Sequence, residues 1–309
     1  MSPDPNTVHS SEALVSTWDS YQDWAAFARD KKRSLLFWRK LVLLLGLGGA
    51  IFETLAASVF AEVTIGQFNV FGFLGFIMLG VAAYFGRNVL GGQPERLWVG
   101  ARSVAEALKS ESFKFCVQVD PYHEGDRESR LATKKKQIGE STGLSLMVPD
   151  PGKRAGKPVP TETMSVDEYV STRLKSQIDP NTGYYWSAAR ENAATTRKFR
   201  GWALLLGVVS TILGGFGAFG VTGIAIWVAV LTTVSGSIAA YFQAGRFEYL
   251  ALSYGATGHR LTNLLDVWNA NPDPQLASAF VFGCEEAISV ENQAWLAEWL
   301  SAVDQGGKK

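Results

Sequence analysis

The sequence predicts an all-α membrane protein, with two transmembrane helical hairpins (four spans) and amphipathic cytoplasmic helices around them. Three observations predict it. Apolar residues make up 47% of the 309 residues, yet mean hydropathy over the chain is only +0.05, so the apolar residues must be concentrated in a few places. Four stretches collect them, each close to the roughly 20 residues that a helix needs to cross about 30 Å of hydrocarbon. Lys and Arg cluster at the outer ends of each pair of stretches and are missing from the short connection inside each pair.

The N-terminal twenty residues are polar and acidic and lack an apolar core, so they do not read as a cleavable signal peptide, and the first span is expected to direct insertion. That span, 41–61, carries one charge, Glu53, and the second, 68–85, carries none. The third and fourth, 201–219 and 221–244, are uncharged. The connections at 62–67 and around Gly220 are short, which makes each pair an antiparallel hairpin. Lys31, Lys32, Arg33, Arg39 and Lys40 precede the first hairpin, and Arg87 and Arg96 follow it. Arg197, Lys198 and Arg200 precede the second, and Arg246 follows it. Positive residues stay on the cytoplasmic side during insertion, so both termini and the central linker are expected in the cytoplasm, with both hairpin tips outside.

The arrangement of helix, span, span, helix occurs twice, and Ala82-Ala83-Tyr84-Phe85 closes the first hairpin as Ala239-Ala240-Tyr241-Phe242 closes the second. The expected organisation is a first unit over 1–122 with a cytoplasmic helix at 94–119, a polar connector over 123–164, and a second unit over 165–303 with cytoplasmic helices at 246–270 and 275–303. Leu97, Ala101, Val104, Leu108 and Phe115 form one helical stripe, and Leu250, Tyr254, Thr257, Leu261, Leu264 and Trp268 form another. The stripes are expected to pack within one subunit, with contacts between subunits as the alternative. Asp120 to Met164, rich in Lys, Asp, Pro and Gly, reads as a solvated connector with one helix near Arg127 to Ile138. Its lysine triplet, Lys134 to Lys136, reads as a solvated charge run, with anionic headgroups as the other possible partner. Ser165 and Glu168 have capping-box spacing and start a new helix. Asn271-Pro272-Asp273-Pro274 stops the helix before a last one carrying Leu276, Phe280, Cys284, Ile288, Trp295 and Trp299 on about one face.

Several function classes find no support. Twenty-nine basic and 29 acidic residues cancel, so no bulk charge points to nucleic acid. Cys116 and Cys284 have no CxxC or histidine-spaced companion and read as buried apolar fillers. His9, His123 and His259 are scattered. Gly215-Phe216-Gly217-Ala218-Phe219-Gly220 matches a dinucleotide pattern but follows no strand of a βαβ unit, and its glycines suit a tight turn better. With no triad, carboxylate pair or phosphate loop, the reading contains no catalytic, metal or cofactor residue and no enzyme.

Residues scattered along the chain nevertheless form an ordered series: Arg102, Ala105-Glu106, Leu108-Lys109, Glu111 and Phe113, then Asp120-Pro121-Tyr122; and Asp167-Glu168-Tyr169-Val170, Arg173-Leu174, Gln177 and Tyr185, then Phe280-Val281, Glu285 or Glu286, Ala287-Ile288, Glu291 and Trp295-Leu296. On these residues the chain resembles the SLATT family, the SMODS- and SLOG-associating two-transmembrane effector domains, in a tandem form covering about Trp18 to Trp299. The resemblance implies a helical protein of the bacterial inner membrane, acting as a pore-forming effector in antiviral conflict or stress-response systems, some governed by nucleotide signals. With no sensor domain in this sequence, an activating partner or nucleotide signal would be supplied from elsewhere in the cytoplasm.

Glu53 is the sharpest single candidate. Thirteen residues beyond Lys40, it should lie about 20 Å into the bilayer, where a carboxylate is costly unless shielded. Gly46, Gly49, Ala50, Ala56 and Ala57 share its face, so it should point at protein or at a water-filled lumen. It reads equally as a pore-lining carboxylate and as a hydrogen-bonded group at a helix contact. Gly72, Gly75, Ala82 and Gly86 give the second span a similar face, Gly207, Thr211, Gly214 and Ala218 the third, and Ala225, Ala229, Thr232, Gly236, Ala240 and Gln243 the fourth. Glu53, Gly49, Thr211, Thr232 and Gln243 are therefore the pore-lining or helix-contact candidates. Four packed helices leave no conduit, so a pore requires a homo-oligomer in the lipid bilayer. A membrane-anchored helical interaction scaffold without conduction is the alternative function.

Overall fold

The structure is a computed structural model that describes residues 11–58, 60, 64–65, 68–89, 92–123, 125–141, 149–218 and 224–306. The hairpin connections expected within 62–67 and around Gly220 fall largely outside these residues, as do His9, the end of the glycine pattern at Phe219-Gly220, and 142–148 of the connector. The described side chains also exclude those of Trp295, Trp299, Ala225 and Ala240.

The chain is helical, as the sequence predicts. A 47-residue helix α1, Glu12–Ser58, runs without a break because it contains no proline; Ser11 caps it, its hydroxyl accepting from the Leu14 N–H at 3.3 Å. Two short strands, β1 (Thr64–Ile65) and β2 (Phe68–Asn69), pair antiparallel, Thr64 opposite Asn69. Helices α2 (Val70–Val89), α3 (Gly92–Val117) and α4 (Arg127–Ser141) follow. Ser165 caps α5 (Val166–Tyr169) with the expected box: its hydroxyl accepts from the Glu168 N–H, and the Glu168 carboxylate accepts from the Ser165 N–H at 2.8 Å. A wider π turn over Val170–Leu174 joins α5 to α6 (Lys175–Ile178). The chain then reverses on Asp179, whose carboxylate accepts from the N–H groups of Asn181 and Thr182, and on Gly183, where a Cβ would lie 2.4 Å from the Asp179 backbone nitrogen. Helices α7 (Tyr184–Ala218), α8 (Ile224–Gly245), α9 (Phe247–Ala270) and α10 (Ala277–Gly306) complete the chain. Asp273 and Pro274 stop the chain before α10, Asp273 accepting from the Gln275 N–H at 2.9 Å.

Four stretches, Glu12–Ser58, Val70–Arg87, Tyr184–Gly217 and Trp227–Ala270, contain helix long and apolar enough to cross a membrane. Their apolar side chains face outward: Leu204 is 72% exposed and Phe76 69%, a surface that suits lipid and not water. The protein is a multi-pass membrane protein.

The chain divides into two compact units, one formed by 1–32, 95–189 and 252–309, the other by 33–94 and 190–251. The second unit holds both hairpins. In it Trp38 stacks on Phe85 at 4.5 Å, and Phe199 meets Tyr241 at 5.6 Å, so the two Ala-Ala-Tyr-Phe repeats receive an aromatic ring from the start of the preceding span. The first unit holds the core. Ala101, Val104, Leu108 and Phe115 of the α3 stripe are buried in it, as are Tyr254, Thr257 and Leu261 of the α9 stripe, while Leu97, Leu264 and Trp268 are half-buried; Leu250, at the start of the α9 stripe and also buried, falls in the second unit. The stripes thus pack within one chain. Trp268 stacks on Phe280 at 4.9 Å, and Cys284 and Ile288 are buried, but Leu276, expected on that face, is 52% exposed because it belongs to the turn before α10. Cys116 and Cys284 are buried free thiols, as expected.

The connector is exposed over 150–158, as its solvated reading expects, and it is also docked. From Lys153 to Met164 it lies as a strap along the first half of α1. Lys157 donates its N–H to Gln22 at 2.7 Å and accepts from Trp18 and Gln22 at its carbonyl, while Arg154 pairs with Asp19 and Asp23 and Lys153 with Asp30. Met164 donates its N–H to the Cys116 carbonyl at 2.8 Å. These bonds satisfy backbone groups that an apolar strap of this length would leave to water. Lys135 of the lysine triplet also bonds to Ser16 on α1.

Candidate functional site

The first unit encloses a polar cluster in its apolar core. The π turn positions Arg173, whose side chain is fully buried, to grip Glu285 of α10 with two parallel hydrogen bonds, Nε to Oε1 at 2.9 Å and Nη2 to Oε2 at 3.0 Å. Tyr169, one turn earlier, donates its hydroxyl to the same Oε1 at 2.8 Å. Arg173 also lies 3.6 Å from Glu106 of α3 and over the Phe113 ring at 5.4 Å. Arg173 falls on the buried face that this segment presents with Tyr169, Leu174 and Ile178, and the π turn sets its aim along that face.

A second arginine lies on α3. Arg102 donates to the Tyr254 hydroxyl at 3.1 Å, lies over the rings of Tyr184 and Tyr254, and faces Glu291 of α10 at 3.7 Å. Lys109, two turns along α3, lies over the Tyr21 ring at 5.6 Å. Arg102, Lys109 and Arg173 are thus set against Glu106, Glu285 and Glu291, and the charges balance in number but not in local pairing.

The electrostatics show the imbalance. Burial alone would raise Glu285, but Arg173 and the bond from Tyr169 outweigh it and hold the carboxyl below the usual glutamate range. Glu106 is likewise lowered, burial being overcome by Lys109, Arg173 and Arg102. Glu291 goes the other way: burial raises it, Glu106 adds to the rise, and the attraction of Arg102 and the Tyr185 hydroxyl do not compensate. Burial, reinforced by repulsion from Arg173, pushes Lys109 down to about 8 despite Glu106. The Cys116 and Cys284 thiols are pushed up to about 12, mainly by burial.

The residues singled out from sequence lie elsewhere, in the hairpin unit. Glu53 and Gly49 come together at a close approach of α1 to α2. A Cβ on Gly75 would lie 2.9 Å from the Glu53 Cγ and backbone nitrogen and 3.0 Å from the Gly49 carbonyl. The faces predicted for the first two spans meet there: Gly72 lies near Ala56, and Gly86 near Val42. Gly46 and Ala57 depart from that expectation, Gly46 having open space beside it and Ala57 being exposed, because the contact follows the 49, 53, 56 edge of the stripe. The structure does not bring Thr211, Thr232 or Gln243 into this contact. All three are exposed; Thr211 and Thr232 turn their hydroxyls back onto the carbonyls of Gly207 and Val228 at 2.9 Å, and Gly207, Gly214 and Gly236 have open space where a Cβ would go.

Arg173, Glu285 and Arg102 are the residues that the site reading missed, although the sequence marks them. Val281, Glu285, Ile288 and Asn292 recur at four- and three-residue spacing on α10, and Trp98, Arg102, Ala105 and Lys109 do so on α3, so each charge falls on an apolar stripe. No group of three or more His, Cys, Asp or Glu among the described residues is placed to hold a metal ion.

Two family models match the chain in tandem: SMODS and SLOG-associating 2TM effector domain 3 over residues 19–166, and SMODS and SLOG-associating 2TM effector domain 1 over residues 169–295. No curated protein and no solved structure matches. The first match contains Arg102, Glu106 and Lys109, and the second contains Tyr169, Arg173, Glu285 and Glu291, so the buried cluster is assembled from both.

Proposed function

This chain belongs to the SMODS and SLOG-associating two-transmembrane effector family, as two units in tandem, and from that premise we propose that it is a membrane effector that forms an oligomeric, ion-permeable pore in a bacterial antiviral or stress-response system. Its site is the inner membrane, with both termini and the strap in the cytoplasm, a reading supported by the basic residues flanking each hairpin. A cytoplasmic signal acts on the helical unit, and the hairpins respond.

The observation that carries this reading is the contrast between the hairpins. The first is closed on itself through Gly49, Glu53 and Gly75, whereas the second leaves Gly207, Thr211, Gly214, Thr232 and Gly236 uncovered. Small, hydroxyl-bearing helix faces gain close packing and hydrogen bonds in a membrane only from another helix, or from water in a lumen. Several copies arranged with their second hairpins together would supply both. On this reading Glu53 stiffens the first hairpin, and Thr211 and Thr232 line the conduit.

Ion flux from liposomes containing the purified chain tests the proposal, with Thr211→Cys and Thr232→Cys exposed to a charged methanethiosulfonate reagent. The native thiols are buried, so block is expected only in the variants. Flux that the reagent leaves untouched in both variants would move the conduit elsewhere. Absence of flux from wild type and variants alike, with the cytoplasmic signal present, would sink conduction and leave the membrane-anchored scaffold.

A further inference from the structure

A cleft of about 510 Å³ opens in the helical unit beside the buried cluster. Arg29 and Lys32 from α1, Arg102 and Lys109 from α3, and Lys157 from the strap line it, with Glu106 as its one carboxylate. Five cations against one acid is a charge excess found nowhere in the composition of the whole chain, which is neutral. The excess is also poorly compensated by protein. Among the described residues no carboxylate lies within ion-pair distance of Lys109, Lys157 or Arg29, and Lys157 stands close enough to Lys109 to repel its charge. Arg29, Lys32 and Lys157 are exposed, while Lys109 is half-buried. The site is built and not a loose surface patch: the strap is fixed to α1 through both backbone groups of Lys157, and Lys109 is held over Tyr21.

We propose that this cleft binds a phosphate-bearing anion, with Lys109 and Lys157 holding the phosphate oxygens and Arg29 and Lys32 guarding the mouth. A volume of this size suits a small organic ligand, of which a single inorganic phosphate would fill a fraction. Charge-assisted bonds from converging Lys and Arg are the usual means of holding such groups. The anion neutralises the repulsion between Lys109 and Lys157 and ties the strap to α1 and α3. The ligand is either a soluble polyphosphate ester or the headgroup of an anionic lipid; the proposal holds whether or not the hairpins conduct.

The test is protection of Lys109 from an amine-acetylating reagent at neutral pH, read by mass spectrometry on the full chain in nanodiscs. Discs of phosphatidylcholine alone receive ATP, tripolyphosphate or chloride at equal ionic strength, and a parallel set contains phosphatidylglycerol. An anion that raises the Lys109 pKa by one unit cuts its reactive neutral fraction by about tenfold. Slowing of Lys109 and Lys157 by that order is expected, with Lys136, outside the cleft, unchanged, and with the protection of Lys109 lost in Arg29→Ala/Lys157→Ala. Protection by the soluble triphosphates in phosphatidylcholine identifies a soluble ligand, and protection only in phosphatidylglycerol discs identifies a headgroup. Equal Lys109 rates under every condition, or protection that the double variant retains, would overturn the proposal.

Discussion

Arg173 and Glu285, 112 positions apart in sequence, form a two-bond ion pair at 2.9 and 3.0 Å with neither side chain reaching solvent. Removing one partner leaves an uncompensated buried charge, which costs about 3–5 kcal/mol. Arg173→Met and Glu285→Leu should therefore each lower the thermal midpoint of the detergent-solubilised chain markedly. The double variant, which buries no charge at this point, should recover much of the loss. A double variant as unstable as the singles would show that Tyr169 and Glu106 depend on the pair for more than charge.

Glu285 and Glu291 lie on one helix and should respond oppositely. Glu285 is held below the ordinary value of about 4.3, so the unfolded chain takes up the proton first as pH falls. Its stabilising contribution is complete above that value and is lost as pH falls through the lower folded value. Glu291 is raised, so the folded chain takes up the proton first, and stability rises as pH falls through its folded value. At neutral pH, Glu291→Gln should cost far less than Glu285→Gln in thermal melts. Equal losses would contradict the asymmetry.

Lys109 offers a third pH test. Its folded value of about 8 lies below its ordinary 10.5, so at neutral pH the chain carries the full cost of a charge that the fold disfavours. In phosphate-free buffer, Lys109→Met should raise the melting temperature at pH 7. That gain should shrink as pH rises from about 8 toward 10.5, where the unfolded chain loses the same proton.

The hairpin contrast is testable by steric load. Gly75→Leu forces a side chain into the Glu53 backbone and should cost about 1–3 kcal/mol by overpacking. Gly207→Leu and Gly236→Leu meet open space within the chain and should leave the monomer's melt unchanged. On the pore reading, those two should instead weaken chemical cross-linking between copies.

Much of the fold was legible in the sequence because its determinants are local. Hydropathy located four spans, and Ser165 with Glu168 marked a helix start that the structure reproduces bond for bond. The Gly49 to Gly75 approach followed from small residues repeating on one face. The strap was not legible, since the bond from Trp18 to Lys157 spans 139 residues and its polar composition reads the same docked or solvated. The buried cluster was half legible. Its residues carried the family resemblance, but a charge on an apolar stripe has the same spacing whether it reaches solvent or pairs in the core, and Arg173 meets Glu285 across 112 positions. Thr211 and Thr232 lie on their predicted helices, and what covers them depends on contacts beyond one chain.

The cluster is built across the two halves: Arg102 and Glu106 come from the first family match, and Tyr254, Glu291 and Arg173 from the second. Tandem copies usually keep the freedom to be exchanged, lost or shuffled one at a time. Here a recombinant gene that imported only one half from a divergent strain would inherit an arginine without its acid, or an acid without its arginine, inside the core. A chain cut back to either half would leave buried charges without their partners, and would lose its interior and not only one hairpin.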